Sequence, residues 1–220
     1  MKNIKSLMIL AGGRGTRFKE YTEDIPKPMI EALGRPLLLH IIDLYAKYNI
    51  ENVLILAGYK KEVITNYFSD KFKSSKENVF IYKNIRIQIL DTGLDTMTGG
   101  RVFKGLDYIS EENFYLTYGD GLSDVDISEL TKFHFEKKSK VTLTAVRPPA
   151  RFGSLELNND KVMRFGEKLN TSEGWINGGF FVVNKNIKNY LDSGNECVFE
   201  KEPLENIAKE GNLYAYKHEG

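Results

Sequence analysis

The 220 residues predict an α/β fold in which helices flank a mixed, mostly parallel sheet. Two patterns carry that prediction. In the first half, short β-rich runs alternate with longer helix-compatible stretches, the sequence form of βαβ units whose helices cover a parallel sheet. In the second half the strand-like runs follow one another over shorter connections, so strand direction is expected to mix there. With 41% hydrophobic and 28% charged residues, the chain has enough apolar surface for a real core, in one large domain or two small ones.

The elements fall in order along the chain. "SLMIL" from Ser6 is the first strand, followed by a helical pattern from Pro36 to Tyr48. "NVLILA" is the second strand, and Lys60 to Phe72 the next helix. "FYLTYGD", Phe114 to Asp120, reads as a further buried strand, with Ile127 to Lys137 as the helix after it. "VTLTAV", "SLEL", "KVMRF" and "GGFFVV" close the series, Phe180 and Phe181 being core residues of the last. The basic run "KFKSSK", Lys71 to Lys76, is expected to be a solvated loop. There is no internal repeat and no low-complexity linker.

Charge and composition exclude several classes of function. Lys plus Arg number 31 against 30 Asp plus Glu, so no broad field favours nucleic acid or an acidic membrane, and any anion site must be local. The stretch from Leu7 to Ala11 is shorter than the roughly 7–15 apolar residues of a secretory signal and runs into Arg14. No segment approaches the roughly 20 apolar residues of a membrane helix. The single cysteine, Cys197, excludes an internal disulfide framework and is expected to be buried and inert, which suits a reducing cytoplasm. His40, His134 and His218 show no metal-ligand spacing and are expected on helix faces or at the surface.

"SLMILAGGRGTRF" raises the functional question, because Gly12, Gly13 and Gly15 interrupt the first strand and glycine lowers stability unless the backbone needs its freedom. The P-loop pattern needs Lys and then Ser or Thr after its last glycine, where this chain has Thr16 and Arg17. The dinucleotide pattern needs a third glycine where Phe18 stands. What remains is either a tight turn with solvated arginines or a loop whose amides surround phosphates, helped by the Thr16 hydroxyl and the Arg17 guanidinium. "DIPKPMI" favours the second: Pro26 and Pro28 are expected to hold the chain extended around Lys27, fixing an ammonium where charge develops on a phosphate.

"LAGGRGTRF" followed by "IPKPM" resembles the signature of the nucleotide-sugar pyrophosphorylases, nucleotidyltransferases that join a nucleoside triphosphate to a sugar 1-phosphate. "DTGLDTMTGGR", "LTYGDGLSDVDI", "RPPARFGSLEL", "FGEK" and "WINGGFFV" extend the likeness toward its glucose-1-phosphate cytidylyltransferase branch. The resemblance implies a Rossmann-like nucleotidyltransferase fold of the glycosyltransferase A type. It implies a single such domain over residues 1–220, with nucleotide bound by about residues 1–125 and acceptor by about 126–220, and with the family's C-terminal helices and second metal-binding aspartate beyond this chain's last residue.

Carried over residue by residue, the resemblance makes Arg17, Lys27 and Asp120 catalytic, with Asp120 of "YGDG" holding magnesium. Leu10, Ala11, Gly12, Gly13, Gly15, Thr16, Thr98, Gly99, Arg101, Tyr118 and Gly119 join Arg17, Lys27 and Asp120 around the nucleotide. In "MTGGR", Gly99 and Gly100 would let the base approach and Arg101 would donate to the cytosine carbonyl; a glycine-opened helix start is the other reading of that stretch. Gly153, Glu167, Lys168, Asn177 and Gly178 would meet the acceptor.

The implied reaction is transfer of CMP from CTP to a sugar 1-phosphate, glucose 1-phosphate first, releasing pyrophosphate with Mg2+ as cofactor. Another phosphorylated acceptor, guanylyl or thymidylyl transfer, and an inactive nucleotide-binding regulatory subunit are the alternatives. CTP and a small phosphorylated acceptor are the implied partners, without nucleic acid or membrane; self-association into a homo-oligomer is left open. Three departures from the branch bear on the acceptor: a shorter segment between Asp70 and Asp91, Leu169 where proline usually follows "FGEK", and Gly166 in place of a larger polar residue.

Overall fold

The computed structural model describes residues 4–15, 24–147, 154–158, 161–166, 174–192 and 194–220. Strand β1 (Ser6–Ala11) has every side chain buried, because it lies between two parallel neighbours in a sheet covered on both faces. The β2–β3 hairpin (Glu31–Ala32, Arg35–Pro36) leads into helix α1 (Leu37–Ala46). Strand β4 (Asn52–Ala57) and helix α2 (Lys61–Lys71) follow, then β5 (Lys73–Lys76), β6 (Val79–Tyr82) and β7 (Ile85–Asp91). Helix α3 (Thr98–Gly105), β8 (Asn113–Tyr118), helix α4 (Ile127–Lys137) and β9 (Val141–Val146) come next. The chain continues through β10 (Ser154–Asn158), β11 (Lys161–Gly166), β12 (Ile176–Asn184), helix α5 (Glu202–Lys209) and β13 (Leu213–Lys217).

The main sheet has nine strands in the order β13-β9-β12-β8-β1-β4-β7-β6-β5. Its centre, β8-β1-β4-β7, is parallel, whereas β12 runs against both β8 and β9, so the expected mixing of direction in the second half is observed. Alternation along β1 divides the core. Leu7, Ile9 and Ala11 face α1, α2 and α4, while Met8 and Leu10 face α3 and α5. Parallel register aligns the carboxyl ends: Ala11 lies opposite Ala57 and Ala57 opposite Asp91, with Leu10 opposite Tyr118. Antiparallel β12 begins at that same edge, which brings Asn177 to it.

Two local expectations are corrected. The basic run is not a loop: Lys73–Lys76 forms the outermost strand, fully exposed, where lysines discourage further strand pairing. The segment around Lys27 is not extended, since Lys27–Met29 is a 3-10 turn closed by the Met29 amide donating to the Pro26 carbonyl at 2.8 Å. His134 lies, as expected, on a helix face, that of α4; it is 2% exposed and hydrogen-bonded to Asn113, Thr142 and Ser139.

Candidate active site at the carboxyl edge of the parallel strands

The proline turn docks directly on the end of β8. A Cβ on Gly119 would lie 2.7 Å from the Pro28 ring, so only glycine lets the turn sit there, and the Gly119 amide donates to the Leu10 carbonyl at 2.9 Å. That docking sets the neighbouring side chains: Lys27 Nζ lies 3.4 Å from Asp120 Oδ2. The lysine side chain is 21% exposed and the aspartate 43%, so both remain open to solvent-borne ligands. Two residues 93 positions apart, a cation and a carboxylate, therefore meet at the edge where open α/β sheets collect ligands.

The glycine loop has three different reasons for its three glycines. A Cβ on Gly12 would fall 2.1 Å from the guanidinium of Arg101, so the close approach there is made by a protein side chain. Gly13 has nothing within 4 Å of its Cβ position and faces open space. Gly15 takes a positive φ of 64°. Arg14 leaves the loop to pair with Asp95 at 2.7 Å, a contact exposed on both sides.

Arg101 lies beneath the loop. It is 3% exposed, and its guanidinium donates to the carbonyls of Gly12 (2.9 Å), Ala57 (3.0 Å), Gly93 (2.8 Å) and Leu94 (3.3 Å), and to the Thr92 hydroxyl. Both of its terminal nitrogens are engaged there. It ties together the segments leaving β1, β4 and β7. Burial lowers its pKa, and the nearby charges of Asp91 and Asp95 oppose that shift.

Gly99 and Gly100 are likewise used from within. Both amides donate to the Cys197 carbonyl, at 2.9 and 3.2 Å. A Cβ on Gly99 would meet Cys197 Sγ at 2.5 Å, and one on Gly100 the Gly194 carbonyl at 2.6 Å. The stretch is the glycine-opened start of α3, and its glycines seat the 194–199 segment. Cys197 itself is half-buried.

Thr98 and Tyr118 converge on a residue that the sequence reading did not select. Glu200 accepts from Thr98 Oγ1 through one carboxylate oxygen and from the Tyr118 hydroxyl through the other, each at 2.6 Å. Asn177 Nδ2 in turn donates to the Tyr118 hydroxyl at 3.2 Å. Burial and the Glu200 charge raise the Tyr118 pKa, so the phenol keeps its proton. Gly178 packs on β9, where a Cβ would lie 2.8 Å from Thr144 Oγ1, and Gly179 has a φ of 85° at the irregularity that turns Asn177 outward. Leu10 and Ala11 are buried, so only their backbone could face a ligand. Thr16, Arg17, Gly153, Glu167 and Lys168 lie outside the described residues.

The sequence matches the family described as Nucleotidyl transferase over residues 6–219. The chain belongs to the nucleotidyl transferase family. Among its relatives, a probable glucose-1-phosphate cytidylyltransferase of Bacillus subtilis is 40% identical, the match covering 97% of this chain and 88% of that protein. The glucose-1-phosphate cytidylyltransferase of Salmonella typhimurium is 39% identical over the same shares. A solved UDP-glucose pyrophosphorylase superposes with a TM-score of 0.71 over 99% of this chain and 91% of its own; at 18% identity this is a likeness of fold.

Within this nucleotidyl transferase, Glu200 carried no sequence signal of its own. "FEKEP" reads as the acidic start of a helix, and only the sheet order brings it against Tyr118. Among the described residues, no three His, Cys, Asp or Glu side chains form a metal cluster, and no helix is long and apolar enough to cross a membrane.

Proposed function

We propose that this chain transfers CMP from CTP to a sugar 1-phosphate, with glucose 1-phosphate as the first acceptor to test. One observation carries the reading: Lys27 and Asp120, far apart in sequence, meet at the carboxyl edge of the central strands beside the open space at Gly13. The two cytidylyltransferase relatives support the choice of nucleotide and acceptor.

The chemistry asks little covalent work of the protein. A phosphate oxygen of the acceptor attacks the α-phosphorus of CTP in line, a new P–O bond forms, and the bond to the bridging oxygen breaks with its electron pair leaving on pyrophosphate. The attacking oxygen is already an anion, so no general base is required; positioning and charge stabilisation are the task. Lys27, with its ammonium held by the docked proline turn, neutralises charge building on the phosphates. Arg17 and Thr16 extend that grip, and Glu167, Lys168, Gly153, Asn177 and Gly178 receive the acceptor.

Asp120 fits a magnesium ion. Mg2+ binds through one or two carboxylates, retained water and substrate phosphates, and needs no all-protein cage. A lone, half-exposed carboxylate suits that mode. When bound, the ion supplies Lewis-acid neutralisation of the triphosphate. Displacement of Lys27 from Asp120 on metal binding would free the ammonium for phosphate. The free Cys197 and the use of CTP suit a cytoplasmic enzyme.

A pyrophosphate-release screen of the four nucleoside triphosphates against a panel of sugar phosphates tests the reading. Release with CTP and a sugar 1-phosphate is expected. Release with GTP or dTTP alone would replace cytidylyl transfer, and CTP uptake without release from any acceptor would favour a regulatory nucleotide-binding role.

A further inference from the structure

Resting on the reaction just proposed, we infer that Glu200 is a positioning residue that joins the nucleotide side of the site to the acceptor side through one carboxylate. Its two oxygens are divided. One accepts from Thr98 at the start of α3, the other from Tyr118 at the end of β8, both at 2.6 Å. Each hydroxyl is in turn an acceptor: Thr98 Oγ1 takes the Phe199 amide at 2.9 Å and Tyr118 takes Asn177 Nδ2 at 3.2 Å. Asn177 completes the chain by accepting from the Gly179 amide at 2.9 Å. Every donor and acceptor in this series has its direction set, because an ionised carboxylate only accepts and both hydroxyls must donate to it.

That direction fixes the amide of Asn177. With Nδ2 turned to Tyr118 and Oδ1 to Gly179, the exposed side chain presents one remaining N–H outward from a defined place. The Tyr118 ring is itself held, by an edge contact to Phe181 at 5.9 Å and by the absence of a side chain at Gly179. Glu200 thus acts through its neighbours and touches no reacting atom.

The arms separate by substitution. Tyr118→Phe cuts the acceptor arm and leaves Thr98 bonded; Thr98→Val cuts the nucleotide arm; Glu200→Gln disturbs both, since the charge that strengthens each bond is lost and the amide nitrogen faces one of the two hydroxyls. Loss of a hydrogen bond to a charged group is commonly worth about tenfold or more in an equilibrium. Tyr118→Phe should therefore raise the glucose 1-phosphate KM about tenfold. Thr98→Val should instead weaken the calorimetric Kd for magnesium–CTP about tenfold with the glucose 1-phosphate KM within about twofold of the parent, and Glu200→Gln should show both shifts. All three losing both substrates in parallel with a lowered Tm, or Glu200→Gln changing neither constant, would overturn the inference.

A second readout is independent of the reaction. The side-chain amide NMR signal of Asn177 should move in Glu200→Gln as it does in Tyr118→Phe. If the parent chain takes up no CTP, the proposed reaction fails; an unmoved Asn177 signal sinks the role of Glu200 whichever nucleotide the chain uses.

Discussion

Two regions along one sheet edge are organised by opposite charges. Where the parallel strands β1, β4 and β7 end, a buried cation, Arg101, gathers backbone carbonyls from three loops. Where β8 meets antiparallel β12, a carboxylate, Glu200, gathers side-chain hydroxyls. The difference follows from what each junction leaves unpaired. Parallel strand ends expose carbonyls that need donors, and one guanidinium provides five N–H groups in a rigid fork. At the antiparallel boundary, β12 satisfies the backbone of β8, and the groups left over belong to side chains. The first device maintains the loop; the second orients the exposed side chain of Asn177 through Tyr118.

Breaking the cationic junction should cost the most. Arg101→Leu removes a charged donor from the buried carbonyls of Gly12, Ala57 and Gly93, leaving Gly12 only the Tyr59 amide and Ala57 only Thr92, which predicts a loss of about 3–5 kcal/mol in urea unfolding. A loss below about 1 kcal/mol would show that water replaces the guanidinium and that the region is not organised by charge. Lys27→Ala is the contrasting cation. Its partly exposed ammonium should matter little to folding, whereas pyrophosphate release should fall about 100- to 1000-fold, as when one preorganised charge-stabilising donor is removed. Near-normal turnover in a folded sample would remove Lys27 from the chemistry.

Adjacent glycines sharpen the comparison further. Gly12→Ala forces a methyl against the Arg101 guanidinium at 2.1 Å and should cost about 1–3 kcal/mol of stability, the usual range for overpacking. Gly13→Ala meets nothing within 4 Å, so the melting temperature should stay close to the parent's. Its added methyl stands where a phosphate would approach, and CTP affinity should fall by about tenfold or more, read by calorimetry. Unchanged affinity would place the triphosphate elsewhere along the edge.

These cases also explain what could be read from the sequence. β1, β4, α4 and β9 were legible because their apolar runs and caps are local; Asp126, for example, caps α4 through the Ser128 and Glu129 amides. Lys27 and Asp120 were legible as chemical types in motifs, and the sheet order then brought them together. Gly12, Gly99 and Gly100 were legible as positions needing close approach, but not what approaches: Arg101 and the Cys197 segment come from 89 and about 98 positions away. Glu200 was missed for the same reason, since its partners, Thr98 on α3 and Tyr118 on β8, come near it only through tertiary packing.

The smallest effect tests the far end of the β8–β12 boundary. There His134 bonds Asn113, the first residue of β8, at 3.2 Å, and Asn184, the last of β12, donates to the same Asn113 oxygen at 3.2 Å. Burial pushes the imidazole pKa down to about 4 from 6.5, so folding holds it neutral. The unfolded chain takes up the proton first as pH falls. Stability from this residue is therefore complete above about pH 6.5, declines through the window, and levels off once pH drops below about 4. At pH 5.5 the loss should be about 1 kcal/mol relative to neutral pH. Asp43 and Asp91, whose hydrogen-bonded carboxylates titrate below their ordinary values, lose their contributions only in more acidic solution, so the two windows separate. Substituting His134→Gln should flatten the upper window of a urea-midpoint-against-pH profile while leaving the lower one. The same slope in both proteins would mean that the boundary opens to water around the imidazole, and that only the site end of β8 and β12 is held by a dry polar network.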